Sequence, residues 1–177
     1  REIYQELTTL LETDDLLPSR LKVLERLARV QVALRDQDGA LEALKRINLE
    51  EAGTLDPSVR TNLRLLEARV LRVTAPSRAL KVLAKAQKAI TDEQCVESIR
   101  IHLEVTRCRL QKQDWKRTIN YGLKGAELAK KVPDCVELGM FYQLVAQAFY
   151  RKGDYSHALD NFQRGLTVAE NLQSHSL

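Results

Sequence analysis

The side chains best equipped for chemistry are few and dispersed: His102, His157 and His175, the cysteines Cys95, Cys108 and Cys135, and scattered carboxylates. A zinc site needs clustered ligands at short separations. No two cysteines here form a CxxC pair, and His102 stands at no ligand-like spacing from Cys95 or Cys108. The same widely spaced cysteines speak against a disulfide framework, and free thiols in a reducing compartment are expected. Asp14-Asp15 falls in a turn, as a solvated loop would place it. Asp114 and Asp154 each precede an apolar-periodic run. A carboxylate there accepts hydrogen bonds from unpaired helix N–H groups, so both read as caps rather than catalytic acids. His157 reads as an exposed helical residue. No glycine-rich phosphate loop and no nucleophile elbow occurs. An enzyme, a bound cofactor and a metal centre are therefore not expected.

The elements that carry these residues read as helices. The 177 residues suit one domain or one segment of an array, and a 44% apolar share allows a sizeable core. Leu, Ala, Glu, Lys and Arg dominate while Gly and Pro are scarce, which is helix-forming composition. The net charge of +4 and pI of about 9.0 are mildly basic, which admits an acidic partner without demanding one. No apolar run approaches the ~18 residues of a membrane span, and no signal peptide is expected. The chain opens at Arg1 inside a helical pattern and reads as a fragment of a longer protein. A cytoplasmic, or alternatively nuclear, location is expected.

Helical periodicity, caps and short turns account for about nine helices and no strand. Ile3, Leu7, Leu10 and Leu11 share one face. Pro18 opens a helix through Leu21, Leu24, Leu27, Ala28 and Leu34. Asp38 is placed to cap the helix through Ala40, Leu41, Leu44 and Ile47. Asp56-Pro57 and Pro76 restart helices as first-turn prolines. Thr91 with Gln94, and Asp134 with Glu137, match the capping-box pattern. Asp114 caps the helix through Trp115, Ile119, Leu123, Ala126 and Leu128, and Asp154 opens the last helix, through Tyr155, Ala158, Phe162, Leu166 and Leu172.

Superposing the turns reveals a repeat. Ala40, Ala79, Thr118 and Ala158 occupy equivalent places, separated by 39, 39 and 40 residues. Leu44, Leu83, Gly122 and Phe162 follow at the next equivalent site, then Ile47, Ala86, Gly125 and Gly165. Small residues there let the second helix of each hairpin lie close against its neighbours. A fixed period in this range marks a solenoid. The expected fold is all-α, an α-α superhelix: a right-handed solenoid of about four hairpins. Residues 1–13 form the second helix of a preceding repeat, followed by repeats over 18–52, 56–91, 92–131 and 133–173.

Tyr142, Val145, Ala146, Phe149, Gly153-Asp154-Tyr155, Ala158 and Phe162 resemble the tetratricopeptide repeat. Gly165 stands where that motif usually has Ala. The third repeat is a weaker match, with Gln113-Asp114-Trp115 at the turn and Thr118 for Ala. The first two keep Ala40 with Leu44 and Ala79 with Leu83. The period exceeds the family's length of about 34 residues, so the helices are expected to be extended by about a turn. On this resemblance Tyr155 and Phe162 fill the space between helices.

The resemblance implies a non-catalytic scaffold or adaptor in a multiprotein complex. The first helix of each hairpin would line a concave groove that holds a segment of a partner protein. In the repeat frame that lining is Lys22, Glu25 and Arg29; Arg64, Ala68 and Arg72; Arg100, Leu103 and Arg107; and Gln143, Gln147 and Arg151. Seven of these twelve are basic and one is acidic, which suits an acidic peptide or helix. The candidate protein-binding residues are thus Lys22, Arg29, Arg64, Arg72, Arg100, Arg107 and Arg151, against the ordinary alternative of a solvated basic face. Members that clamp the acidic tail of heat-shock chaperones need a Lys/Asn/Arg set. Of Glu25, Arg29, Ala68, Leu103 and Arg107, only Arg107 fits it, which argues against that partner. Two other readings stay open: a basic solenoid binding nucleic acid, for which no recurring recognition code is visible, and a structural spacer in a large assembly. No membrane partner is expected.

Overall fold

Three connections are so short that one helix must fold back on the last. Ala75 alone separates the second helix from the third, and three residues each, 112–114 and 152–154, separate two later pairs. The computed structural model describes residues 26–28, 30, 31, 34, 36–51, 57–90 and 96–174. Residues 26–28, 30 and 31 are helical. Beyond them α1 spans Gln37–Glu51, α2 Pro57–Thr74, α3 Pro76–Lys88, α4 Val96–Gln111, α5 Trp115–Ala129, α6 Val136–Arg151 and α7 Tyr155–Ser174. No strand occurs among the described residues, and no described helix is long and apolar enough to cross a membrane.

The starts follow local chemistry. Pro57 and Pro76 open α2 and α3, where a missing N–H costs nothing. Asp114 Oδ1 accepts from the Arg117 N–H and Asp154 Oδ1 from the His157 N–H, both at 3.3 Å. Two expected caps are corrected. The first is Asp36, not Asp38: α1 already begins at Gln37, and Asp36 Oδ1 accepts from the Gly39 N–H at 3.1 Å. At α6 the capping position is Cys135, because Asp134 sits in the left-handed region at φ 51°. Glu137 is thereby released for another contact. The Thr91–Gln94 pair, the helix expected over 1–13 and the first part, 18–25, of the helix expected from Pro18 to Leu34 lie outside the described residues.

Each helix packs on the next, and α2, α4 and α6 also pack side by side, whereas α3, α5 and α7 make no contact with one another. A stack closed on one side and splayed on the other must curve. The row α2–α4–α6 is therefore the inner, concave wall.

The small repeat positions make this stacking feasible. Ala40, Ala79, Thr118 and Ala158 are all buried. Thr118 satisfies its buried hydroxyl by donating to the Asp114 carbonyl at 2.8 Å. At Gly122 and Gly125 the next helix comes so close that an added Cβ would collide with Val145 and with the Phe141 ring. One expectation fails here. Leu44, Leu83 and Gly122 are buried, but Phe162 is 42% exposed and Tyr155 is exposed too. The reason is positional: α3 and α5 are each covered by a following helix, while among the described helices only α6 touches α7.

Candidate protein-binding groove

The concave wall is built from the faces that α2, α4 and α6 turn away from their hairpin partners. The periodicity of α4 explains what lies there. Ile101, Glu104 and Cys108 fall on one helical stripe, and all three are buried. A carboxylate on an apolar stripe needs compensation, since an unpaired buried charge costs several kcal/mol. Glu104, with its side chain only 1% exposed, receives three guanidiniums. Arg107 donates to its Oε1 at 2.8 Å from one turn along α4, Arg69 donates to Oε1 at 2.9 Å, and Arg72 donates to Oε2 at 3.2 Å from α2. Arg107 also reaches Met140 Sδ on α6 at 3.4 Å, so the cluster ties all three inner helices together.

A second clasp lies beside the first. Arg100 Nε donates to Glu137 Oε1 at 3.3 Å, joining α4 to α6. The Cys135 thiol donates to the other carboxylate oxygen at 3.5 Å. Burial by itself would raise the Glu137 carboxyl. The backbone N–H, Arg100 and Cys135 outweigh it and hold the group below the ordinary glutamate range. Between the two clasps is a recess of about 340 Å³ lined by Asn62, Leu65, Leu66, Arg69, Arg100 and Glu137. Behind the wall, burial and the Glu104 charge push the Cys108 thiol up to about 12, so it stays protonated and unreactive at neutral pH.

The structure distributes the seven expected basic residues unevenly. Arg72 and Arg107 meet on Glu104, and Arg100 stands next to them on Glu137. Arg64 points elsewhere, donating to the Lys85 carbonyl at 3.0 Å in the last turn of α3. It lies on the flank where burial raises the Glu67 carboxyl against the charges of Arg78, Lys85 and Arg64. Arg151 is exposed at the end of α6, in a separate recess of about 510 Å³ with Gln147, Tyr150 and Phe162. Lys22 and Arg29 lie outside the described residues. Ala68 and Leu103 are buried in the packing between hairpins and do not line the groove.

Arg69, Glu104, Glu137 and Asn62 were missed by the repeat frame. Arg72 does reach Glu104, and its companion on that face of α2 is Arg69, three residues back, rather than Ala68, four back. Glu104 was detectable: it interrupts an apolar stripe, and only a partnered charge belongs there.

No protein-family model matches the chain, and no curated protein matches it significantly. Among solved structures, one titled "MamA MSR-1 C2", a tetratricopeptide-like protein, superposes with a TM-score of 0.62. Its sequence identity is 17%, over 96% of this chain and 89% of that chain. At that identity the likeness bears on fold alone: the chain is an all-helical solenoid resembling that tetratricopeptide-like one.

Proposed function

We propose that the protein is a non-catalytic interaction scaffold whose concave wall binds an acidic segment of a partner protein. One observation carries this reading. Four arginines, Arg69, Arg72, Arg100 and Arg107, converge on the inner face of adjacent helices against only two carboxylates, Glu104 and Glu137. The excess is positive, the guanidiniums are held in place by their carboxylates, and each keeps donors free of those bonds. The free thiols Cys108 and Cys135 support an intracellular location.

The test is direct. A labelled oligoglutamate peptide and an oligoglutamine control are titrated into the intact chain at low and moderate salt, followed by anisotropy. The acidic peptide is expected to bind selectively, and to bind about tenfold more weakly to an Arg72→Gln/Arg100→Gln variant whose helical circular dichroism is unchanged. Equal binding of both peptides, or full retention by the variant, removes the groove from consideration. Tighter binding of a single-stranded oligonucleotide than of any peptide, falling by orders of magnitude with salt, would shift the reading to nucleic acid.

A further inference from the structure

Within that reading, which this step rests on, the three arginines around Glu104 have a more specific property. Glu104 neutralises one of three positive charges and is itself hidden beneath them. The bonds to Glu104 use Nε of Arg69, one terminal nitrogen of Arg72 and one of Arg107, whose other terminal nitrogen faces Met140. A guanidinium offers five donors in a fixed fork, so Arg69 and Arg72 keep terminal N–H groups that Glu104 does not occupy. Both side chains reach solvent, Arg69 at 45% exposure and Arg72 at 30%. The result is a rigid patch with two uncompensated positive charges and several convergent donors.

We infer that this patch recognises a phosphorylated residue on the partner segment. A carboxylate carries one charge and two acceptor oxygens, and would leave the patch half neutralised. A phosphate monoester carries roughly −1.5 to −2 at pH 7 with three strong acceptor oxygens, which matches both the charge and the fork geometry. The flanking recess sharpens the choice of macromolecule. It is mainly polar, lined by Asn62, Arg69, Arg100 and the Glu137 carboxylate, with Leu65 and Leu66 largely buried in its wall. A continuous polyanion such as nucleic acid would run past the negative charge of Glu137. A peptide can place one phosphate on the arginines and a small polar side chain in the recess.

The experiment uses the intact chain and one labelled peptide scaffold, with phosphoserine, glutamate or serine at the central position and asparagine beside it. The phosphoserine form is expected to bind at least tenfold more tightly than the glutamate form, and the serine form most weakly. Arg69→Gln, at the most exposed of the three arginines, and Arg72→Lys, which keeps charge but loses the fork, are each expected to abolish the phosphate preference. Circular dichroism and thermal melting check that both variants fold. Equal affinity for phosphoserine and glutamate peptides overturns the inference while leaving the acidic groove standing. So does a phosphate preference that survives in both variants. Failure of every anionic peptide to bind overturns both. Stronger binding to a single-stranded oligonucleotide, or to vesicles containing phosphatidylserine, than to the phosphopeptide also overturns it.

Discussion

The middle and the end of the solenoid obey the repeat in opposite ways. The last hairpin, α6 with α7, carries the best-preserved motif: Gly153 at φ 81° in the turn, Asp154 capping, Ala158 buried beneath. The charges of α7 are peripheral. Asp160 and Arg164 pair at 3.0 Å on the surface of α7, both about half exposed. The middle, α2 against α4, has a degenerate motif, with Ala75 for a turn and Gln113 holding the left-handed position at φ 58° where the last repeat has glycine. Yet the middle holds the one fully buried carboxylate among the described residues and three arginines around it. The repeat fixes how helices stack. Chemistry collects on the inner face, at positions that stacking leaves unconstrained.

The strongest way to break this contrast is to remove a carboxylate from each region. Glu104→Ala leaves three guanidiniums crowded over an apolar stripe with no counter-charge. Loss of one partner from a buried pair costs about 3–5 kcal/mol, and the partial exposure of the arginines places the expected loss near the lower end. Asp160→Ala removes half of an exposed pair and is expected to cost less than about 0.5 kcal/mol. Urea unfolding followed by circular dichroism measures both. Equal midpoints for the two variants would show that the Glu104 cluster is not a structural centre.

The next contrast is between two glycines in neighbouring helices. Alanine is favoured over glycine by about 1 kcal/mol inside a helix, so both substitutions should stabilise if space allowed. At Gly139 the nearest atoms to an added methyl lie at 3.6 Å, an ordinary contact, and Gly139→Ala is expected to stabilise by a few tenths to about 1 kcal/mol. At Gly125 the methyl would enter the ring of Phe141, which is fully buried and has nowhere to move. Gly125→Ala is expected to destabilise by about 1–3 kcal/mol. Thermal melts that ranked the two the other way would contradict the close seating of α6 on α5.

Much of this fold was legible in the sequence, for physical reasons that differ by position. Ala40, Ala79, Thr118 and Ala158 announced themselves because close helix approach tolerates only small side chains, and all four are buried. Pro57 and Pro76 marked helix starts because proline fits few other places. The groove was harder to read. Residues three and four back from Arg72 both lie beside it on a helix, so the period alone did not decide between Arg69 and Ala68. Asp134 and Glu137 matched a capping box, but pattern alone could not register that Asp134 would adopt φ 51° and that Glu137 would reach Arg100 instead. Pairing across 30 or more residues, as between Arg69 and Glu104, leaves no local signature.

The smallest expected effect tests the open end of the comparison. Phe162 is the best match to the repeat's aromatic position, and its counterpart Leu83 is fully buried between α3 and α4. Removing a side chain as buried as Leu83 costs several kcal/mol because transfer and cavity terms add. Phe162 is 42% exposed and flanked along α7 by Leu159 and Leu166, which are exposed as well. Solvent already meets much of the ring, so Phe162→Gln forfeits little burial and introduces no buried polar atom. The expected change is within about 0.5 kcal/mol, the range of ordinary surface substitutions. Chemical denaturation of the chain at low concentration, where self-association does not contribute, reads this value. A loss of 2 kcal/mol or more would mean that the face of α7 is covered in solution, and that the last hairpin is not open in the way its exposed aromatics indicate.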